Sequence, residues 1–250
     1  YLQLSQDGNT TLAAVELGRN AGEEDPALST VLGGEGVVGA FHLDANRTRV
    51  VYLHADMLEP AEIWTCELDD DAPRKLSSVN AQLLDEIDLG RVEEVWFDGP
   101  AGDQLQGWIV TPPGFDPSEQ YPLILEIHGG PRLQYGNFFM HEFFFLAAQG
   151  YVVAFTNPRG SRGYGEEHAK AIWNRWGTAD YEDLMAWADH LVGLSYIDAE
   201  HIGVGGGSYG GFMTNWIIGH TDRFSAAVTM RSVSNQISMY GSSDFNWVFQ

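Results

Sequence analysis

Residues 203–211 read Gly203-Val-Gly-Gly-Gly-Ser208-Tyr-Gly-Gly211, and the rest of the chain is best understood outward from that run. A strand-like stretch, His201–Gly206, leads into it, and an apolar helical stretch, Phe212–Gly219, leads out. Within it Gly206-Gly207-Ser208-Tyr209-Gly210 is G-x-S-x-G between a strand and a helix. A nucleophilic serine needs a sharp, strained turn so that its hydroxyl stands clear. Its neighbours must be glycine, because the backbone around them approaches too closely for a Cβ. The helix that follows aims its first N–H groups, that of Tyr209 included, at charge developing on a bound carbonyl oxygen. Gly205-x-Gly207-x-x-Gly210 also fits the dinucleotide fingerprint, but that motif needs an acid at the end of the next strand. The next strand ends at Met230-Arg231. The phosphate-binding pattern with Gly-Lys-Ser/Thr is likewise unmet.

Two further motifs lie upstream. His128-Gly129-Gly130-Pro131 closes a buried strand run, and glycines there let the backbone reach a substrate carbonyl. This makes Gly130 and Tyr209 the two oxyanion N–H donors. His128 precedes the serine, whereas triads of the α/β-hydrolase fold run serine, acid, histidine, so its expected role is to hold the oxyanion loop. Asn157-Pro-Arg-Gly-Ser-Arg-Gly-Tyr-Gly165 follows the next strand, and loops at the carboxyl ends of strands line the site in open α/β sheets. Arg159 and Arg162 could bind a substrate carboxylate or carbonyl. Pairing with Asp180, Glu182 or Asp183 is the favoured alternative.

The pattern around these motifs alternates strand and helix: strands at Val92–Phe97, Gln104–Thr111, Tyr121–His128, Tyr151–Thr156, His201–Gly206 and Ser225–Met230; helices at Phe138–Ala148, Asp180–Val192 and Phe212–Gly219. Such alternation predicts an α/β domain with a doubly wound, mostly parallel sheet, that is, an α/β-hydrolase fold. About six strands are present where that fold has eight. Before residue 90 the texture differs. Tyr1–Ser5 and Thr11–Leu17 flank Asp7-Gly8-Asn9; Val37–Leu43 and Thr48–His54 flank Asp44-Ala45-Asn46; Glu62–Leu68 follows. Antiparallel units repeating about one and a half times suggest blades of a β-propeller. The expected division is residues 1–90, incomplete C-terminal propeller blades, and residues 91–250, an incomplete N-terminal part of the catalytic domain.

With 35 acidic against 13 basic residues, the formal net charge is −22. Such a surface repels phosphate backbones and anionic lipid, which argues against nucleic acid and membranes as partners. No run approaches the ~18 apolar residues of a membrane span, and no signal-peptide pattern is visible. Cys66 is the only cysteine, which suits a reducing, cytoplasmic setting. The histidines are scattered without ligand spacing, so neither a metal nor a cofactor is expected. Whether the chain forms a homo-oligomer is left open.

Together His128-Gly-Gly-Pro131, Asn157-Pro-Arg-Gly160, Gly163-Tyr-Gly165, Trp176-Gly177 with Asp180-Tyr-Glu-Asp183, and Gly206-Gly-Ser-Tyr-Gly-Gly211 resemble the prolyl oligopeptidase family of serine peptidases, most closely its acylaminoacyl-peptidase branch. The resemblance implies a hydrolase acting on short peptides through an acyl-enzyme on Ser208, releasing N-acylated amino acids or short N-terminal pieces, with a propeller covering the site. It also implies that Arg231–Tyr240 carries part of the pocket before the scissile bond, with Val233, Met239 and Tyr240 making it apolar. The rest of the triad is not evident. After Ser208 come one histidine, His220, and two aspartates, Asp222 and Asp244. His220 lies ~18 Å along the helix from the serine at 1.5 Å per residue. The expected acid and base therefore lie beyond residue 250, and the chain reads as a fragment that would turn over poorly by itself. The competing readings are a carboxylesterase-type hydrolase and a non-catalytic peptide-binding protein with a vestigial hydrolase domain.

Overall fold

Asp7 and Gly8 take φ values of 47° and 74°, the left-handed pair a two-residue hairpin turn requires. They join β1 (Leu2–Gln6) to β2 (Asn9–Val15), with Gln6 opposite Asn9. The computed structural model describes residues 1–16 and 28–244; Leu17, the expected end of the second strand, lies outside them. β3 (Leu28–Leu32) returns antiparallel to β2. A second meander follows through β4 (Val37–Leu43), β5 (Arg49–Ala55), β6 (Glu62–Glu67) and β7 (Asp70–Lys75), each strand antiparallel to the last. At its first turn the Asp44 carboxylate accepts the amides of Thr48 and Arg49, which closes the loop that the Asp/Asn signal marked. Inward-facing Leu12, Leu32, Val38, Val50, Tyr52 and Cys66 form the core of this sheet. Alternation is plain in β5, where Val50 and Tyr52 are buried while Val51 and Leu53 face outward. A four-stranded antiparallel meander beside three strands of another is part of a β-propeller. β3 and β7 were not anticipated. β3 is short and mostly exposed, and Asp70-Asp-Ala-Pro73 in β7 has little strand propensity, so pairing rather than composition makes these strands.

This sheet forms a compact unit of Tyr1–Asp88 that also takes in Gly136–Met140. The amide of Asn137 donates to Gly8 O, and its side-chain amide donates to Asn9 Oδ1. The expected helix over Phe138–Ala148 therefore begins only at His141: the amide of Phe138 turns back onto Gly136 O.

The second unit, Leu89–Tyr135 with His141–Gln250, is the α/β-hydrolase sheet. β8 (Arg91–Asp98) and β9 (Gln104–Thr111) enter as an antiparallel pair. β10 (Tyr121–Ile127), β11 (Val152–Thr156), β12 (Ile197–Gly207) and β13 (Ala226–Met230) then run parallel, in the order β13-β12-β10-β11-β9-β8. β11 is buried along its whole length because both faces are covered. On one side Phe155 stacks between Trp108 and Phe143 of α2 (His141–Ala148). On the other, Val152 and Ala154 join the core shared by α4 (Ala179–Val192) and α5 (Tyr209–Ile218), built around Leu184, Trp187, Leu191, Met213 and Ile217. Three short helices, α1 (Ala81–Asp85), α3 (Glu166–Lys170) and α6 (Gln236–Ser242), bury no residue and gave no periodic signal. Among the described residues no helix is long and apolar enough to cross a membrane.

Candidate active site

Ser208 sits between β12 and α5 with φ 60° and ψ −116°, a conformation that strains any residue with a Cβ. Two bonds fix it. Its amide donates to Met230 O at the end of β13, and its carbonyl accepts from Phe212 N. The turn is tight because its glycines touch backbone. A Cβ at Gly206 would stand 2.7 Å from Ile127 O, and one at Gly210 only 2.1 Å from the same oxygen. Ser208 is half-buried, and among the described residues its hydroxyl has no hydrogen-bond partner.

The chain after β10 passes directly beside it: a Cβ at Gly129 would lie 3.6 Å from Ser208 Cβ. This loop is stitched to the Asn157–Gly165 segment. His128 is buried, with Nδ1 2.7 Å from Gly129 O and Nε2 2.9 Å from Ser161 Oγ; Ser161 Oγ in turn donates to Pro158 O. Asn157 accepts the amide of Tyr135 and donates to its carbonyl and to the Tyr164 hydroxyl, while Arg162 N donates to Leu133 O. Both ring nitrogens of His128 are thus occupied away from the serine. Burial lowers its pKa to about 4, so it is neutral at pH 7 and serves as a brace.

Arg159 is committed to structure. Its guanidinium makes a two-pronged contact with the Asp183 carboxylate at 2.6–3.0 Å, and its amide donates to the same group. Asp180 does not pair with either arginine but accepts from Tyr209, a contact with no local signal in the sequence. Arg162 is exposed and its side chain has no acidic partner among the described residues. Of the expected apolar pocket, Val233 lies between β13 and α6 and is half-buried, as is Met239 on α6; Tyr240 on α6 is 46% exposed. Among the described residues no hydrogen bond joins Val233 or Met239 to Ser208. The segment's start does approach it: Arg231, with φ 41°, lays its guanidinium over Gly207. His220 is held at the far end of α5, with Nδ1 2.7 Å from Trp216 O and its ring stacked on Trp216. Asp222 and Asp244 are exposed.

A buried carboxylate was missed. Glu126 on β10 is 6% exposed, and its Oε1 would stand 3.1 Å from a Cβ at Gly205. It lies on the wall of an apolar groove of about 760 Å³ along β10, β12 and β13, which Glu142 also lines. Burial, reinforced by Glu142, raises its pKa to about 7. A carboxyl bound more tightly to its proton when folded contributes stability at low pH that is lost as pH rises from the unfolded value of about 4.5 through 7. His128 acts oppositely, since its depressed pKa makes stability rise with pH between about 4 and 6.5. The two offset each other over their common range. Glu126→Gln should therefore stabilise the fold more at pH 8 than at pH 5, and leave a residual acid lability from His128. Urea unfolding at both pH values checks this; an equal shift at each would refute it.

Residues 137–250 match the sequence model of the prolyl oligopeptidase family, and residues 57–177 match that of acetyl xylan esterase. The uncharacterized peptidase YuxL of Bacillus subtilis is 44% identical over 76% of this chain and 29% of its own length. The probable dipeptidyl-peptidase 5 of Emericella nidulans is 40% identical over 66% and 24%. Among solved structures, an acylaminoacyl peptidase of Pyrococcus horikoshii superposes with a TM-score of 0.86 at 27% identity, over 99% of this chain and 38% of that one. The chain thus spans less than a third of the curated relatives it matches.

Proposed function

We propose, for this member of the prolyl oligopeptidase family of serine peptidases, that Ser208 attacks the carbonyl of a short peptide and carries the acyl group as an ester. Its strained φ, on a turn beside the His128–Pro131 loop, is the observation that carries the reading. The amides of Gly130 and Tyr209 would receive the oxyanion, and a histidine and an aspartate outside these 250 residues would relay the proton. Arg162, exposed at the loop after β11, is available to a substrate carboxylate. The substrate class supported best is N-acylated or short free peptides, in keeping with the acylaminoacyl and dipeptidyl peptidases that the chain is similar to.

Residues 57–177, which include the His128–Pro131 loop but end before Ser208, match acetyl xylan esterase, and an esterase is the second reading. Parallel assays of the full-length protein on acyl-amino-acid anilides, dipeptidyl anilides and short acyl esters separate the two. We expect anilide cleavage. An enzyme that hydrolyses the esters and leaves both anilides intact is an esterase.

A further inference from the structure

Trp176-Gly177 and Asp180, prominent in the sequence, all lie against one face of α5. Trp176 meets Tyr209 edge-on at 4.9 Å and Phe212 at 5.4 Å. Gly177, with φ 80°, passes so close to Trp216 that a Cβ would fall 2.5 Å from its ring. Residues 209, 212 and 216 follow the spacing of a single helical face. At the top of that face the Tyr209 hydroxyl donates to Asp180 Oδ2 at 2.5 Å. The same carboxylate accepts the amides of Gly177, Thr178 and Tyr181. Tyr209 is 1% exposed and Asp180 fully buried.

From this we infer that the Trp176–Asp180 turn positions the oxyanion-binding amide of Tyr209, with the Tyr209 hydroxyl and Asp180 as positioning residues. The inference rests on the reading of Ser208 as nucleophile. The first N–H groups of a helix have no intrahelical acceptor, so hydrogen bonds within α5 do not hold the Tyr209 amide in place. A donor to an oxyanion must nevertheless stay within about half an ångström of its place. Tyr209 solves this by being tied at both ends: its backbone leaves the elbow, and its side chain reaches a carboxylate locked by three amides on another helix. Burial raises the Asp180 pKa, while the hydroxyl and the three amides lower it, so the same donors that hold the carboxylate also favour its charged form.

Tyr209→Phe in the full-length protein tests this, because the ring and its packing on Trp176 and Phe212 remain. We expect kcat to fall about tenfold with KM within twofold, and fluorophosphonate labelling of Ser208 to slow by the same factor, as for loss of a contact felt only in the transition state. Asp180→Asn places an NH2 among N–H donors and should lose at least as much. The double variant should be no slower than the worse single one, since both break one linkage. A Tyr209→Phe protein with a lowered Tm but kcat within twofold of wild type overturns the proposal, and that variant decides alone if Asp180→Asn does not fold. Activity persisting in Ser208→Ala would instead sink the underlying nucleophile reading, whatever Tyr209→Phe does.

Discussion

Ser208→Ala in the full-length protein should lower kcat/KM on a peptide anilide by roughly 10⁴-fold or more and abolish fluorophosphonate labelling, with the unfolding midpoint unchanged or raised. The asymmetry comes from what the serine does in the fold. Its bonds to Met230 O and Phe212 N are backbone bonds, which alanine keeps. Its hydroxyl makes no hydrogen bond to a described residue, so removing it leaves no buried partner unsatisfied. Alanine carries the same Cβ, so the strain at φ 60° is retained rather than relieved, and Ser208→Gly should be more stable than either. Mass spectrometry of the labelled wild type should place the adduct on the peptide containing Ser208. Labelling that survives the substitution, or that maps elsewhere, would move the nucleophile.

Much of this site was legible because its chemistry forces local sequence. A strained serine needs flanking glycines, and a loop that passes close beside it needs more, so Gly206–Gly211 and His128–Pro131 announce themselves. The brace role expected for His128 follows the same logic, since its partners lie in the neighbouring Asn157–Gly165 motif. What was not legible depends on residues far apart in sequence. Glu126 lies within a strand run that reads as buried, but nothing local gives its carboxyl a role there; the glycine opposite it, Gly205, belongs to a strand some eighty residues later. The bond from Tyr209 to Asp180 spans 29 positions, and nothing local to either motif pairs the two. Of the three acids that could pair with Arg159 or Arg162, Asp183 takes Arg159, while Asp180 is buried among three amides and the Tyr209 hydroxyl. In the fold, the elements missed were the short helices α1, α3 and α6 and the strands β3 and β7, whose residues bury too little to leave a periodic pattern.

Gly210→Ala is expected to be the most damaging one-carbon change in the elbow. In a helix, alanine is normally favoured over glycine by about 1 kcal/mol. Here that gain meets a wall: the new Cβ would stand 2.1 Å from Ile127 O, 2.9 Å from Ile127 C and 3.0 Å from His128 O. These are backbone atoms of the buried end of β10, so no side-chain rotation relieves the contact. Either α5 shifts outward or β10 bends, and overpacking of this kind costs about 3 kcal/mol, which outweighs the propensity gain. Each way of relaxing also separates the helix N-terminus from the loop after β10, which on the proposed mechanism moves the two oxyanion amides, Gly130 and Tyr209, apart. Activity should then fall further than stability does. Gly219→Ala is the matched control at the other end of α5. Its φ is −83° and its nearest contacts lie at 3.4–3.5 Å, so alanine there should change stability by less than about 1 kcal/mol. Urea unfolding of both variants, read as midpoint and slope, measures the difference. Equal midpoints for Gly210→Ala and Gly219→Ala would mean that β10 and α5 are not packed as tightly as the elbow requires.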